Sequence, residues 1–146
     1  MTTPAGTLVV RRADARDSLD ALRDAAYHRA LSARGGVALL EQMWGSEIGR
    51  DEVREGLARR VAAGDVWVAL DGDVVVAGVL IADQCVQAVW TQPTHRRRGV
   101  ASLVLAHALN SDAAPVDAWA LPGDRATKSF YESVGWKARL LTMRGA

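Results

Sequence analysis

Residues 66 to 91 read VWVALDGDVVVAGVLIADQCVQAVWT, and this stretch constrains the fold more than any other part of the chain. It contains β-rich apolar runs separated by short polar breaks. Asp71-Gly72 divides the first run from the second, and Asp-Gly between such runs is a strong signal for a tight hairpin. Asp83-Gln84 divides the second from a third run, Cys85 to Thr91, and Pro93 closes the series. Three consecutive strands joined by tight turns make an antiparallel meander.

The flanks carry different patterns. Leu8 to Arg12 is a short strand candidate. ADARDSLDALRDAAYHRAL follows with Leu19, Leu22, Ala26 and Ala30 on one helical stripe, and Asp17 or Ser18 can cap it. Gly35-Gly36 breaks that pattern, Val37 to Trp44 is a short amphipathic piece, and Gly45-Ser46 breaks again. RDEVREGLARRVAAG reads as a helix with Val53, Leu57 and Val61 on one face and Gly64 past its end. After the meander, Gly99 to Asn110 reads as a mostly apolar helix, with Val100, Leu103, Val104 and His107 sharing a face. So apolar a helix belongs against a sheet. PVDAWALP, bounded by Pro115 and Pro122, is a strand. DRATKSFYESVG is a helix capped by Asp124 and ended by Gly135, and WKARLLTMR is a last strand. The sum is a mixed α/β (α+β) fold in a single domain over residues 1–146, long enough to bury a core and free of linkers and repeats.

Composition removes several function classes. The net charge is +1, so no whole-protein basic field exists for nucleic acid or anionic lipid, and any anion binding is local. Cys85 is the only cysteine, which excludes an intramolecular disulfide and a cysteine-based zinc site. His28, His95 and His107 are far apart and lack metal-ligand spacing, so no metal is expected. No apolar run approaches about 20 residues, and MTTPAGTLVVRRADARD turns charged at once. The expectation is a soluble cytoplasmic protein.

Residues 95 to 101, HRRRGVA, ask what anion three arginines serve. A solvated basic turn is the simplest reading. Nucleic-acid binding needs a basic face or a recognised module, and neither is evident. The phosphate-binding pattern G-x-x-x-x-G-K-[ST] and the dinucleotide pattern G-x-G-x-x-G are both missing. Context favours another reading. The run lies between a strand and a helix, with Gly99 at the helix start. Backbone N–H groups there lack partners and the helix dipole is positive, which suits a phosphate or pyrophosphate.

Arg96-x-x-Gly99-x-Ala101 resembles the (Q/R)-x-x-G-x-(G/A) acetyl-CoA motif of the GNAT superfamily of N-acetyltransferases. Thr91 to Ala101 resembles that family's V-x-P-x-x-R-G-x-G-x-G segment, and Ser129 to Trp136 its L-Y-E-x-x-G-F segment. The order of elements is similar from Leu8 to Arg144. The resemblance implies a GNAT fold: a mixed central sheet with an antiparallel meander and a splayed strand pair, helices on both faces. It implies that acetyl-CoA is the co-substrate, its pantetheine arm lying in the gap beside backbone groups of Val89, Trp90 and Thr91. It implies that Arg97, Arg98, Gly99, Val100, Ala101 and Ser102 wrap the pyrophosphate. Tyr131 matches the family's general acid, and a phenol with a reference pKa of about 10 can protonate a departing thiolate without ionising at neutral pH. Phe130, sharing a helix face with Ala126 and Val134, takes the core role beside it.

The chain also departs from the family pattern. Where an asparagine often bonds the cofactor it has Asp124, a candidate for that bond or for a helix cap. Where a glutamate base often stands it has Trp119. The meander offers Gln87 and no carboxylate, so no general base is evident; Asp83, Asp117 and Glu41 are weaker candidates, and water is another. The acceptor, a small-molecule or peptide amine, is expected near Tyr27 to Trp44 and the last strands. Trp44, Trp90 and Trp119 are candidate pocket walls or core, and His28 is a minor candidate at the same mouth. Cys85 reads as a buried small residue. A homodimer is compatible with the last strand. A non-catalytic acyl-CoA-binding module of the same fold is the alternative function.

Overall fold

The computed structural model describes residues 8–22, 24, 50–96, 98–111, 117–120 and 125–138. Its strands are β1 (Leu8–Arg12), β2 (Val66–Asp71), β3 (Val74–Ala82), β4 (Cys85–Thr91) and β5 (Asp117–Ala118). Its helices are α1 (Arg50–Ala62), α2 (Val100–Leu109) and α3 (Arg125–Ser133), with a 3-10 turn at Pro93–His95. The strands form one sheet in the order β1-β2-β3-β4-β5. Neighbours from β1 to β4 are antiparallel, and β5 runs parallel to β4.

The meander is present with one shift in its first turn. Asp71 pairs with Val74, so the two-residue loop is Gly72-Asp73 and not Asp71-Gly72. Gly72 takes the positive φ of +62° that this loop needs. The second loop joins the paired residues Ala82 and Cys85 through Asp83 (φ 53°) and Gln84 (φ 60°). Two positive φ values in succession mark a type I′ turn, built here without glycine.

Side chains alternate along β2. Val66, Val68 and Leu70 enter one core with Leu22, Leu57 of α1, Leu80 and Trp90. Trp67 and Ala69 enter the other with Val79 and Ile81, and with Val100, Val104, Leu105 and Ala108 of α2. Both sheet faces are therefore covered, which is why the strands read as continuous apolar runs and not as alternation. Two bulges reset the register. The first leaves Val76 as the extra residue of β3; the second leaves Gln87 as the extra residue of β4, between the pairs Leu80↔Ala88 and Ile81↔Val86.

Two local expectations, on the buried stripe of α2 and on Asp17, are corrected, and two others fall partly outside the described residues. The buried stripe of α2 is Val100, Ala101, Val104, Leu105 and Ala108; Leu103 is exposed, and His107 sets its ring edge-on to Trp67 at 5.5 Å. The strand between Pro115 and Pro122 pairs only at Asp117–Ala118 among the described residues. Residues 136–138 carry no strand, and the remainder of WKARLLTMR lies outside the described residues. Asp17, a candidate cap, folds back on the chain: its carboxylate accepts from Arg11 at 2.7 and 2.8 Å and from the Asp14 N–H at 2.8 Å. The Arg11 hydrogen bonds hold the Asp17 carboxyl below the usual carboxylate range.

Candidate active site

The chain leaves the sheet after β4 through a loop that is tied down twice. The Gln92 N–H donates to the Val76 carbonyl at 2.8 Å. His95 Nε2 lies 3.1 Å from Asp71 Oδ2 at the end of β2, and its Nδ1 lies 2.8 Å from Thr94 Oγ1. The first residue of the basic run is thus an anchor to the β2–β3 hairpin. Arg96 Nε sits 3.5 Å from the Thr91 carbonyl, a weak contact, and Arg98 is exposed. Arg97 and Asp124 lie outside the described residues, as do Tyr27, His28, Glu41 and Trp44.

Gly99 caps α2 in the left-handed region, at φ 71° and ψ 16°, and no side chain caps that end. The first-turn N–H groups of a helix have no intrahelical acceptors. A Cβ placed on Gly99 would meet no protein atom within 4 Å, so the space above it is open. Val100 and Ala101 are buried and anchor the first turn; Ser102 is half-buried. A short anion such as a pyrophosphate fits this cradle, because donors and dipole point to where it would sit.

Among the described residues β4 and β5 pair at the start of β4. Cys85 pairs with Asp117 and Val86 with Ala118, and the Trp119 N–H donates to the Val86 carbonyl at 2.9 Å. No β4–β5 pairing continues past that bond among the described residues. The described β4–β5 pairing thus ends at Val86, five residues before the end of β4 at Thr91. Register decides which β4 backbone groups face the β5 side. Gln92 bonds Val76, so the hydrogen-bonded β3 pairs two and four residues back are Trp90↔Gly78 and Ala88↔Leu80. Val89 and Thr91 lie between these pairs and turn their N–H and C=O groups away from β3, toward the β5 side of the sheet. The Trp90 backbone faces β3, and its side chain is in the core with Trp119 packed partly against it.

Tyr131 exchanges roles with Phe130. Thr127 and Tyr131 are the buried residues of α3, while Ala126 is exposed and Phe130 is half-buried. The Tyr131 ring lies 6.1 Å from that of Trp136, stacked at 24°, and 5.5 Å from that of Phe130. It shares an apolar cluster with Val86 and Val89 of β4. A Schellman motif sets this arrangement: the Trp136 N–H donates to the Tyr131 carbonyl at 3.0 Å, the Gly135 N–H to the Glu132 carbonyl at 3.1 Å, and Gly135 has φ 90°.

Other polar or reactive groups lie where β5 pairs with β4. Cys85 is buried, and burial first, then Asp117 and Asp83, push its thiol up to about 11. It stays protonated and is no nucleophile at neutral pH. Among the described residues no group of His, Cys, Asp and Glu could hold a metal ion. Gln87, the bulged residue, is 7% exposed, with Nε2 3.4 Å from the Ala82 carbonyl.

Residues 62–138, more than half of the chain, match the family model of the acetyltransferase (GNAT) domain. The chain belongs to the GNAT acetyltransferases. Solved structures share the fold. A possible acetyltransferase from Clostridium difficile 630 is 18% identical, with 96% of this chain and 97% of that one covered and a TM-score of 0.58. A predicted acetyltransferase with acetyl-CoA from Clostridium acetobutylicum is 15% identical, with 94% and 96% covered and a TM-score of 0.61. An aminoglycoside N-acetyltransferase in complex with CoA is 13% identical, with 94% of each chain covered and a TM-score of 0.55. No curated protein matches the chain. This GNAT chain is an acyltransferase by family. No helix among its described residues is long and apolar enough to cross a membrane.

Proposed function

We propose that this GNAT protein transfers the acetyl group of acetyl-CoA to a primary amine by direct attack. The observation that carries the reading is the glycine-opened start of α2, reached from β4 through a loop tied to the β2–β3 hairpin. Gly99, Val100, Ala101 and Ser102 hold the pyrophosphate through main-chain N–H groups, with Arg97 and Arg98 adding charge. Val89 and Thr91, whose backbone groups face the β5 side of β4, stand where the pantetheine arm is expected. Trp90 contributes through its core side chain, which keeps β4 in place. Asp124 stands where a side-chain contact to the cofactor is expected.

The chemistry needs two kinds of help. Attack on the thioester builds a negative oxygen, which main-chain donors on the β5 side of β4 stabilise. Collapse of that species breaks the C–S bond, and Tyr131 gives the departing sulfur a proton. An amine with a reference pKa near 10.4 must shed a proton first, and with no carboxylate evident as base, water takes it. The aminoglycoside N-acetyltransferase among the similar folds supports a small-molecule amine as the first acceptor class to try.

The burial of Tyr131 between Phe130 and Trp136 favours a second reading, an acyl-CoA-binding module that turns nothing over. One experiment separates the two. Acetyl-CoA is mixed with a panel of alkylamines, aminoglycosides and lysine peptides, and free thiol is followed. The expected result is release with at least one amine, and a fall of about 100-fold in Tyr131→Phe with acetyl-CoA binding intact. Binding of acetyl-CoA without thiol release from any amine would establish the module instead.

A further inference from the structure

We infer that His95 and Asp71 are a positioning pair: their hydrogen bond holds the loop after β4 in the shape that receives the pyrophosphate of acetyl-CoA. The inference rests on the acetyl-CoA reading above and gives that reading two residues that touch no cofactor atom.

Asp71 is a firm point of attachment. Its position is set from both sides, by pairing with Leu8 of β1 and with Val74 of β3. An ionised carboxylate can only accept, so the His95 ring donates to it through Nε2–H at 3.1 Å. In the neutral ring Nδ1 is then the acceptor, and the Thr94 hydroxyl donates to it at 2.8 Å. The two side chains are 15% and 22% exposed, so the bond is largely shielded from water. The His95 N–H donates to the Gln92 carbonyl at 2.8 Å, which closes the 3-10 turn beneath the ring. Beyond the basic run, Val100 and Ala101 are buried, and the Leu103 N–H donates to the Gly99 carbonyl at 2.9 Å. Arg96 and Arg98 stand between these two fixed points.

A loop with successive arginines needs such an anchor. Like charges repel, and the repulsion opens the loop when no anion is bound. Main-chain N–H groups hold a pyrophosphate tightly when their directions are set in advance. Otherwise binding carries the entropy cost of ordering the loop. The first residue of HRRR therefore works differently from the arginines after it. It faces the hairpin and fixes the backbone, while they supply charge. A bond that served the fold alone would affect every ligand alike. A bond that sets the loop acts on ligands that carry a pyrophosphate.

The test titrates the full chain by calorimetry with acetyl-CoA and with S-acetylpantetheine, which lacks the pyrophosphate. In His95→Ala the Kd for acetyl-CoA should rise about 5- to 20-fold, the scale of one lost hydrogen bond to a charged group, while the Kd for S-acetylpantetheine stays within about twofold of the parent's. His95→Gln returns an N–H donor to Asp71 and should recover most of the loss. His95→Asn is too short to reach Asp71 and should behave as the alanine variant does; it decides the matter if that variant folds poorly. Combined with Asp71→Ala, His95→Ala should bind acetyl-CoA about as weakly as the weaker single variant, because the two residues act as a unit. Parent-like acetyl-CoA affinity in His95→Ala or His95→Asn, or an equal loss for both ligands, overturns the inference. Neither result touches acetyl transfer, which thiol release by the parent decides. A parent that does not bind acetyl-CoA overturns both.

Discussion

At the scale of single residues, the site depends on conformations that a side chain would oppose. Gly99 is the clearest case. Its φ of 71° costs an L-residue about 1–2 kcal/mol, and a side chain there would project into the open space above it. Gly99→Val is expected to weaken acetyl-CoA binding by about 100-fold or more in calorimetry, whereas Arg98→Ala, which removes an exposed charge, should cost about two- to fivefold. Equal affinity of Gly99→Val and the parent would refute the cradle. The glycine was legible in the sequence because it stands between a strand and an apolar helix. The role of His95 was not: it reads as part of a basic run, and only the return of the loop over the β2–β3 hairpin brings it to Asp71. The exchange of Phe130 and Tyr131 has a similar cause. Helical periodicity fixes which residues share a stripe, but the angle at which the helix lies on the sheet chooses the stripe that is buried.

At the scale of elements, helix ends decide where functional side chains stand. α1 and α3 finish alike. Asp65 N–H bonds the Arg60 carbonyl and Gly64 N–H the Val61 carbonyl, as Trp136 and Gly135 do with Tyr131 and Glu132. In α3 the motif also lays Trp136 on Tyr131. A Cβ at Gly135 would touch nothing within 4 Å, so a substitution there costs backbone strain alone. Gly135→Ala should lose about 1–2 kcal/mol in urea unfolding with the slope unchanged, and kcat should fall as the stack loosens. An unchanged midpoint would show that the turn carries no such strain. Element existence was legible throughout the meander, α1, α2 and α3, because each carries its own period and its own stop signal. The boundary of β5 was not, since its length depends on where β4 ceases to accompany it.

At the scale of the whole molecule, a sheet covered on both faces leaves its titratable groups in unequal surroundings. Cys85 keeps its proton up to about 11 in the folded chain, against an ordinary thiol value of 9.0. Between those values the unfolded chain binds fewer protons than the folded one, so stability falls as pH rises from about 9 to about 11. Unfolding by denaturant across that range should show this slope, at most about 1.4 kcal/mol per pH unit from this group, and Cys85→Ala should flatten it. Parallel curves for parent and variant would count against it. The sequence by itself determined the meander, the apolar helix after it, the glycine that opens that helix and the family these features resemble. All four are local: a period, a turn or a spacing read within about a dozen residues. Only the tertiary structure decided that the described β4–β5 pairing ends at Val86, that the parity of β4 turns the backbone of Val89 and Thr91 toward the β5 side, and that a bulge makes Gln87 the extra residue of β4. Those facts depend on the register between strands far apart in the chain, which no single segment encodes.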